Sequence, residues 1–309
     1  EKSDTMAITT SSTIELIGNT PVYQLPNTNI YVKLEKYNVG GSVKDRAVLG
    51  MLREAKEKGQ NKDDSIIVEA TSGKTGIALA MVGAVLGIKT VIIMPESMSK
   101  ERRELIKAYG SQLILTPKET GMKGALAKAD EILANYPNAF TLGQFVNPAN
   151  PEIHYETTAV EILEQVPNVD VFVAGIGTGG TFTGVTRHLK KARPFIQAVA
   201  VEPTGSPAIS QGQGGPHKIQ GIGAGFIPEN FDCSLMDDVQ TVSDEEAFAQ
   251  IQTFMRESGI SIGISAAAAV VVAKRIAAER PTQNIVVIAP DGVEKYLSML
   301  DFDNVEHVK

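Results

Sequence analysis

The side chains with most chemistry to offer gather at four turns, three of them rich in glycine. The first is Gly175-Ile-Gly-Thr-Gly-Gly-Thr181. Glycines let backbone N–H groups close on an anion, and a helix N-terminus adds positive potential. Gly175, Gly177 and Gly180 fit the dinucleotide pattern G-x-G-x-x-G, and Glu202 follows about 22 residues later, where a ribose-binding acid belongs. The phosphate could belong to a dinucleotide or to a single phosphate ester; a plain tight strand–helix turn is the alternative. The second turn is Thr71-Ser-Gly-Lys-Thr-Gly76, a nest of N–H and O–H donors suited to a carboxylate or phosphate. Gly73-Lys74-Thr75 matches the tail of a P-loop, but the first P-loop glycine falls on Val68, so that motif is incomplete. Ordinary N-capping by Thr71 or Ser72 would explain the same residues.

The third turn, Gly40-Gly-Ser-Val-Lys-Asp-Arg46, has Ser42 as a possible cap and sets Lys44 in the first turn of a helix. The helix dipole disfavours a cation there, and together with burial it would lower the amine's pKa and make Lys44 a usable nucleophile. The competing reading is a solvated Lys44 paired with Asp45. The fourth is Gly263-Ile-Ser265, which opens the alanine-rich segment Ala266–Ala273. Ser265 there is either an N-cap or a hydrogen-bond partner for a ligand atom.

Strands are expected at 29–35, 65–69, 90–94, 112–115, 138–142, 170–174, 197–201 and 284–289. These are short runs rich in Val and Ile, as in strands buried on both faces. Helical patterns lie near 44–58, 75–87, 99–109, 121–135, 150–165, 181–192, 245–257 and 264–279. This alternation predicts an α/β fold with parallel sheets wrapped by helices, as open sheets or as a closed barrel. Each candidate turn sits where a strand or loop hands over to a helix. The irregular stretch 203–228 exceeds ordinary loop length and reads as functional. The segment 145–151, with its Asn-Pro-Ala-Asn-Pro, reads as a crossing between two domains.

Composition narrows the classes. The 309 residues carry 29 Lys and Arg against 36 Asp and Glu, a net charge of −7, with no basic face for a nucleic-acid backbone. The single cysteine, Cys233, excludes an internal disulfide and fits a reducing cytoplasm. His154, His188, His217 and His307 lack paired metal-ligand spacing, so no metal is expected. The uncharged stretches 75–88 and 258–273 fall short of the about 18–20 residues of a membrane span. The N-terminus has no signal-peptide pattern, and Met6 is a candidate natural start after Glu1–Thr5.

Taken in order, these motifs resemble the cysteine synthases (O-acetylserine sulfhydrylases) among the fold-type II pyridoxal-phosphate (PLP) enzymes. The resemblance runs from Glu15-Leu-Ile-Gly-Asn-Thr-Pro21 and Lys33-Leu-Glu35 through the 40–46 and 69–76 segments. It continues through Gly143-Gln-Phe145, Asn147-Pro-Ala-Asn-Pro151, the 175–181 turn and Gly221-Ile-Gly223 to Glu294-Lys-Tyr-Leu-Ser298. It implies two three-layer α/β domains with mostly parallel twisted sheets, like the tryptophan synthase β chain. The larger would combine 1–39 with 146–309, and the smaller, 40–145, would close over the substrate. It further implies that Lys44 holds PLP as a Schiff base and that Gly177, Thr178, Gly179, Gly180 and Thr181 bind its phosphate. Ser265 would face the pyridine nitrogen. Thr71, Ser72, Gly73, Thr75 and Gln144 would bind the amino-acid carboxylate, with Gly221 bordering the substrate.

The activity implied is replacement of the acetoxy group of O-acetyl-L-serine by sulfide through an α-aminoacrylate, giving L-cysteine and acetate, with Lys44 as anchor and general base in turn. A homodimer is implied, as is docking of the C-terminal tail of serine acetyltransferase. Related reactions, cystathionine synthesis or sulfide release from cysteine, share these motifs. A nicotinamide-dependent dehydrogenase built on the 175–180 loop and Glu202 is the alternative from another class. The chain departs from the family twice. Lys74 replaces an Asn that contacts the cofactor's phenolic oxygen, so the resemblance implies retuned turnover with PLP binding kept. Ala266-Ala267 replaces Ser-Gly; if that glycine takes positive φ, alanine costs roughly 1 kcal/mol.

Overall fold

A computed structural model of the chain describes residues 7–71, 73–302 and 306. Ser72, His307 and the candidate start Met6 with Glu1–Thr5 lie outside the described residues. The strands, in chain order, are β1 (Val22–Gln24), β2 (Ile30–Leu34), β3 (Ile66–Ala70), β4 (Lys89–Pro95) and β5 (Gln112–Thr116). They continue with β6 (Ala139–Phe140), β7 (Val171–Gly175), β8 (Gln197–Pro203), β9 (Asp238–Val242) and β10 (Ile285–Ala289). The helices are α1 (Lys44–Glu57), α2 (Lys74–Leu86), α3 (Lys100–Ala108), α4 (Gly121–Asn135) and α5 (Ala149–Ile153). After them come α6 (Ala159–Gln165), α7 (Gly180–Ala192), α8 (Ala208–Gln211), α9 (Asp244–Ser258) and α10 (Ile264–Glu279).

Two open sheets form, not a closed barrel. One has the order β1-β2-β10-β7-β8-β9, parallel except for the antiparallel β1–β2 pair. The other, β5-β4-β3-β6, is parallel throughout. Both are three-layered, because side chains alternate across a strand and both faces are apolar. In β7, Val171 and Val173 pack with α9 and α10, while Phe172 and Ala174 pack with α6 and α7. In the smaller sheet Ile67 and Ile92 face α1 and α2, while Val68 and Ile93 face α4.

The eight expected strands are present, and β1 and β9 add to them at opposite edges of the larger sheet. Edge strands need no continuous apolar run, so Asp238-Val-Gln-Thr-Val242 carries a weak signal. The helix expected over 150–165 is interrupted by a π-turn at His154–Thr158, where Thr157 Oγ1 also donates to Ile153 O at 2.6 Å. Among the described residues no helix is long and apolar enough to cross a membrane.

Three connections bring the two sheets to a common cleft. Val43 N donates to Pro290 O at 2.9 Å and Ser42 bridges Asp291, which pins the start of α1 to the carboxyl end of β10. The 141–151 segment leads from β6 to α5, and Asn150 Nδ2 there donates to Thr178 Oγ1 at 2.9 Å. The carboxyl ends of β3 and β7 run into the 71–76 and 175–181 turns, the position where open parallel sheets bind ligands.

Candidate active site

Lys44 opens α1, partly buried in the cleft, and its Nζ donates to Thr178 Oγ1 at 3.4 Å. Burial and then the Lys74 charge push the amine down to about 7, with Glu69 opposing. Burial, which the sequence reading invoked beside the helix start, is the largest cause, and the Lys74 charge was not foreseen. Ser42 is not the residue capping α1, although its Oγ accepts from Lys44 N at 3.2 Å. Nor does Lys44 pair with Asp45. That carboxyl is buried, accepts from Gly40 N at 2.6 Å, and is pushed up to about 7 by its burial. Beneath the turn, Arg46 fixes α1 through buried contacts with Glu35 (2.5 Å) and Glu161 (2.7 Å).

The 177–181 turn stands at the head of α7, a 13-residue helix. Gly179 has φ +86°, and a Cβ on it would lie 2.7 Å from Phe231 N. A Cβ on Gly177 would lie 2.4 Å from Gly221 O. The glycines are thus required by close backbone approach as well as by the turn. Thr178 Oγ1 also accepts from Gly180 N at 3.3 Å. Thr181 Oγ1 meets His154 Nε2 at 3.3 Å; burial and the charges of Arg46 and Lys44 hold that histidine neutral.

Across the cleft, Thr71 Oγ1 accepts from Gly73 N at 3.0 Å, and Thr75 Oγ1 donates to Gln144 Oε1 at 2.5 Å. Gln144 Nε2 in turn donates to Ala70 O at 2.9 Å. Glu69 ties the loop carrying Gln144 to β3, accepting from the backbone of Leu142, Gly143 and Gln144 at 3.1–3.3 Å. Gly73 takes φ +117° against Arg102, and Gly221 takes φ +99°. Lys74 is buried, and its Nζ donates to Ser265 Oγ at 3.1 Å and lies 3.8 Å from Asp291 Oδ2. Ala266 and Ala267 lie inside α10 and fully buried; positive φ outside glycine occurs only at Asn19 and Asn27 among the described residues. The conditional strain at 266–267 is therefore absent.

These residues border two adjoining spaces. A cleft of about 490 Å³ is lined by Lys44, Gln144, Gly177, Thr178 and Gly221, with one wall from the 203–228 stretch. A smaller pocket behind it joins Lys44, Lys74, the 177–181 turn, Gly221 and Ser265. The dinucleotide reading loses its acid: Glu202 is buried and accepts from Ile209 N (2.8 Å) and Ser210 N (2.9 Å), bracing α8. Among the described residues no cluster of three His, Cys, Asp or Glu could hold a metal. Asn150, Glu69, Arg102 and Asp291 received no individual role from sequence. Asn150 sits in an Asn-Pro-Ala-Asn-Pro run that signals only a turn, Glu69 heads the 69–76 segment without a role of its own, and Arg102 and Asp291 belong to none of the quoted motifs.

Residues 14–291 match the family described as "Pyridoxal-phosphate dependent enzyme". The chain belongs to that family. A cysteine synthase of Staphylococcus aureus is 46% identical over 301 residues, covering 94% of this chain and 97% of the relative. A solved hydrogen sulfide-producing enzyme of Fusobacterium nucleatum shares 45% identity with a TM-score of 0.91, covering 93% of this chain and 100% of that one. A solved cysteine synthase of Entamoeba histolytica shares 35% identity with a TM-score of 0.90, covering 99% and 95%. The cofactor of the family is PLP, and the chemistry of the lining residues suits it. A desolvated amine, a glycine turn at a helix head and a buried serine hydroxyl line one pocket.

Proposed function

We propose that the chain is a cysteine synthase that replaces the acetoxy group of O-acetyl-L-serine by sulfide. The observation that carries this is the desolvated Lys44 amine, 3.4 Å from Thr178 at the phosphate turn, in a cleft whose other wall holds Gln144. The full-length similarity to a curated cysteine synthase supports it. Lys44 anchors the cofactor, Gly177–Thr181 hold its phosphate, and Ser265 faces its ring nitrogen. Thr71, Ser72, Gly73, Thr75 and Gln144 take the substrate carboxylate, with Gly221 at the substrate's edge. The bound cofactor supplies an electron sink that acidifies the substrate's α-carbon.

Lys44 does the proton work. With a pKa of about 7, a large share of its amine is neutral at neutral pH, able to take the α-proton at Nζ and later return it. The Thr75–Gln144 hydrogen bond pre-sets two groups at the carboxylate site, and rotating Thr75 Oγ1 frees its proton for the substrate. Closure of the 40–145 unit over the larger one would then exclude water. By the same reading the enzyme is a cytoplasmic homodimer, and the cleft would admit the serine acetyltransferase tail.

Sulfide release from cysteine is a second reading, favoured by the 45% identity to the sulfide-producing enzyme. One series of measurements separates them. Protein mixed with PLP should turn yellow, and borohydride reduction should leave an adduct that mass spectrometry finds on Lys44. O-acetylserine with sulfide should then yield cysteine faster than cysteine alone yields sulfide; the reverse order selects the second reading. A colourless protein with no adduct at Lys44 overturns both.

A further inference from the structure

We propose that His217 is a positioning residue for the amino-acid substrate: its ring closes the 217–223 loop by hydrogen bonds at both nitrogens, which sets the cleft wall at Gly221, and acid opens that closure. The inference deepens the proposed function and rests on it, because Gly221 borders the substrate only under that reading. The loop belongs to the irregular 203–228 stretch and lines the cleft together with Lys44 and Gln144. Ile219 N donates to His217 Nδ1 at 3.0 Å, and His217 Nε2 lies 2.8 Å from Gly223 O. An amide N–H only donates, so Nδ1 must carry a lone pair. A carbonyl only accepts, so Nε2 must carry the proton. The imidazole is therefore neutral, in the Nε2–H tautomer, and neither nitrogen is free to change role.

The closed loop rests on the 175–181 turn. Gly223 N donates to Ile176 O at 3.2 Å, and the Gly221 carbonyl packs on Gly177. The two bonds to the ring differ in weight. Gly223 O also accepts from Ser206 Oγ at 3.3 Å, whereas Ile219 is buried and its N–H is committed to Nδ1. A buried N–H stripped of its acceptor costs more than a carbonyl that keeps a second partner. Protonating Nδ1 sets two donors against each other and breaks the Ile219 bond. The Asp244 carboxylate, which accepts from Lys218 N at 3.0 Å, acts on the ring from the head of α9 and favours its charged form, as does the bond to Gly223. Burial outweighs both and holds the imidazole below its ordinary value. Lys218, the next residue, is exposed, and Pro203, Gly205 and Ser206 beside the loop carry no charge. A histidine whose charged form is disfavoured by folding keeps its contact above the ordinary imidazole range and loses it as pH falls through the lowered value.

The test compares holoenzymes of the wild type, His217→Gln and His217→Asn. Gln keeps a donor for Gly223 O and loses the acceptor for Ile219 N; Asn does the reverse, and neither side chain titrates. The KM for O-acetylserine in His217→Gln should exceed the wild-type value roughly fivefold at about pH 8, the worth of one hydrogen bond, and the two should converge at about pH 5, where the wild type has lost the same bond. The substrate and Lys44 titrate in both proteins, so the ratio cancels them, and kcat should change much less than KM. His217→Asn should bind O-acetylserine more tightly than the wild type at the acid end. Nitrogen NMR of the wild type with ¹⁵N-labelled histidine should show a bare Nδ1 and a protonated Nε2 at neutral pH. Should the variants not fold, that tautomer, with loss of Ile219 amide protection as the wild type is acidified, carries the test. An Nδ1–H tautomer, or a KM ratio that does not change with pH, overturns this inference alone. Absence of the Lys44 adduct in the wild type overturns the proposed function and this inference together.

Discussion

Lys44 and Lys74 are two amines brought to one pocket, and each is lowered chiefly by burial. Removing an amine from water raises the cost of its charged form, and a second cation adds to that cost. In its proposed role as cofactor anchor, Lys44 reacts in the neutral form. The rate of PLP capture should therefore climb with pH and level off above a midpoint of about 7. In Lys74→Met one of the two causes is gone, so the midpoint should move upward. Stopped-flow absorbance across that range measures both; an unmoved midpoint in the variant would show that the two amines do not interact. Glu69 acts at the same scale, aligning the Gln144 backbone through its carboxylate.

At the scale of elements, the β7–α7 turn is built by approach of backbone to backbone. Gly179 is left-handed at φ +86° and faces Phe231. Gly179→Ala should cost about 1–2 kcal/mol from backbone conformation alone, with the Phe231 clash in addition. A lower urea midpoint together with at least tenfold weaker PLP retention is the expected pair of results. Normal retention would mean that the turn relaxes without disturbing the proposed phosphate site. Other ends of elements follow local chemistry. Ser243 and Glu246 form a reciprocal capping box on α9, and Gly259 closes that helix in the left-handed region.

The whole molecule is held by buried ion pairs as well as by two sheets' worth of apolar packing. Burial alone would raise the Glu161 carboxyl, but hydrogen bonds and charge from Arg46 and Lys33 outweigh it and hold the group at about 2. A carboxyl depressed in the folded state stabilises above its unfolded pKa, and that stability fades as pH falls through the folded value. Between about pH 4.5 and 2 the protein should lose on the order of 3 kcal/mol from this group. Urea unfolding across that window should show a shallower decline in Glu161→Gln than in the wild type. Equal slopes would place the acid sensitivity elsewhere. Arg46 joins this network to α1, so the support beneath Lys44 spans several elements.

Most of the architecture was legible from local pattern. Strands covered on both faces must be apolar throughout, and helices must keep one apolar stripe, so both leave a periodic trace. The edge strands β1 and β9 escaped because solvent on one side relaxes that requirement. Glycine turns and the placement of Lys44 at a helix head were legible for the same local reason. Which partners meet was decided in three dimensions. Lys44 reaches Thr178 across 134 positions, Lys74 reaches Ser265 across 191, and Arg102 reaches Gln220 across 118. Such pairs depend on how two sheets and their helices pack, and no periodicity along the chain encodes that distance. The sequence by itself determined the elements and the chemical groups at their ends; the tertiary structure decided which groups share a pocket, and burial there sets their charge.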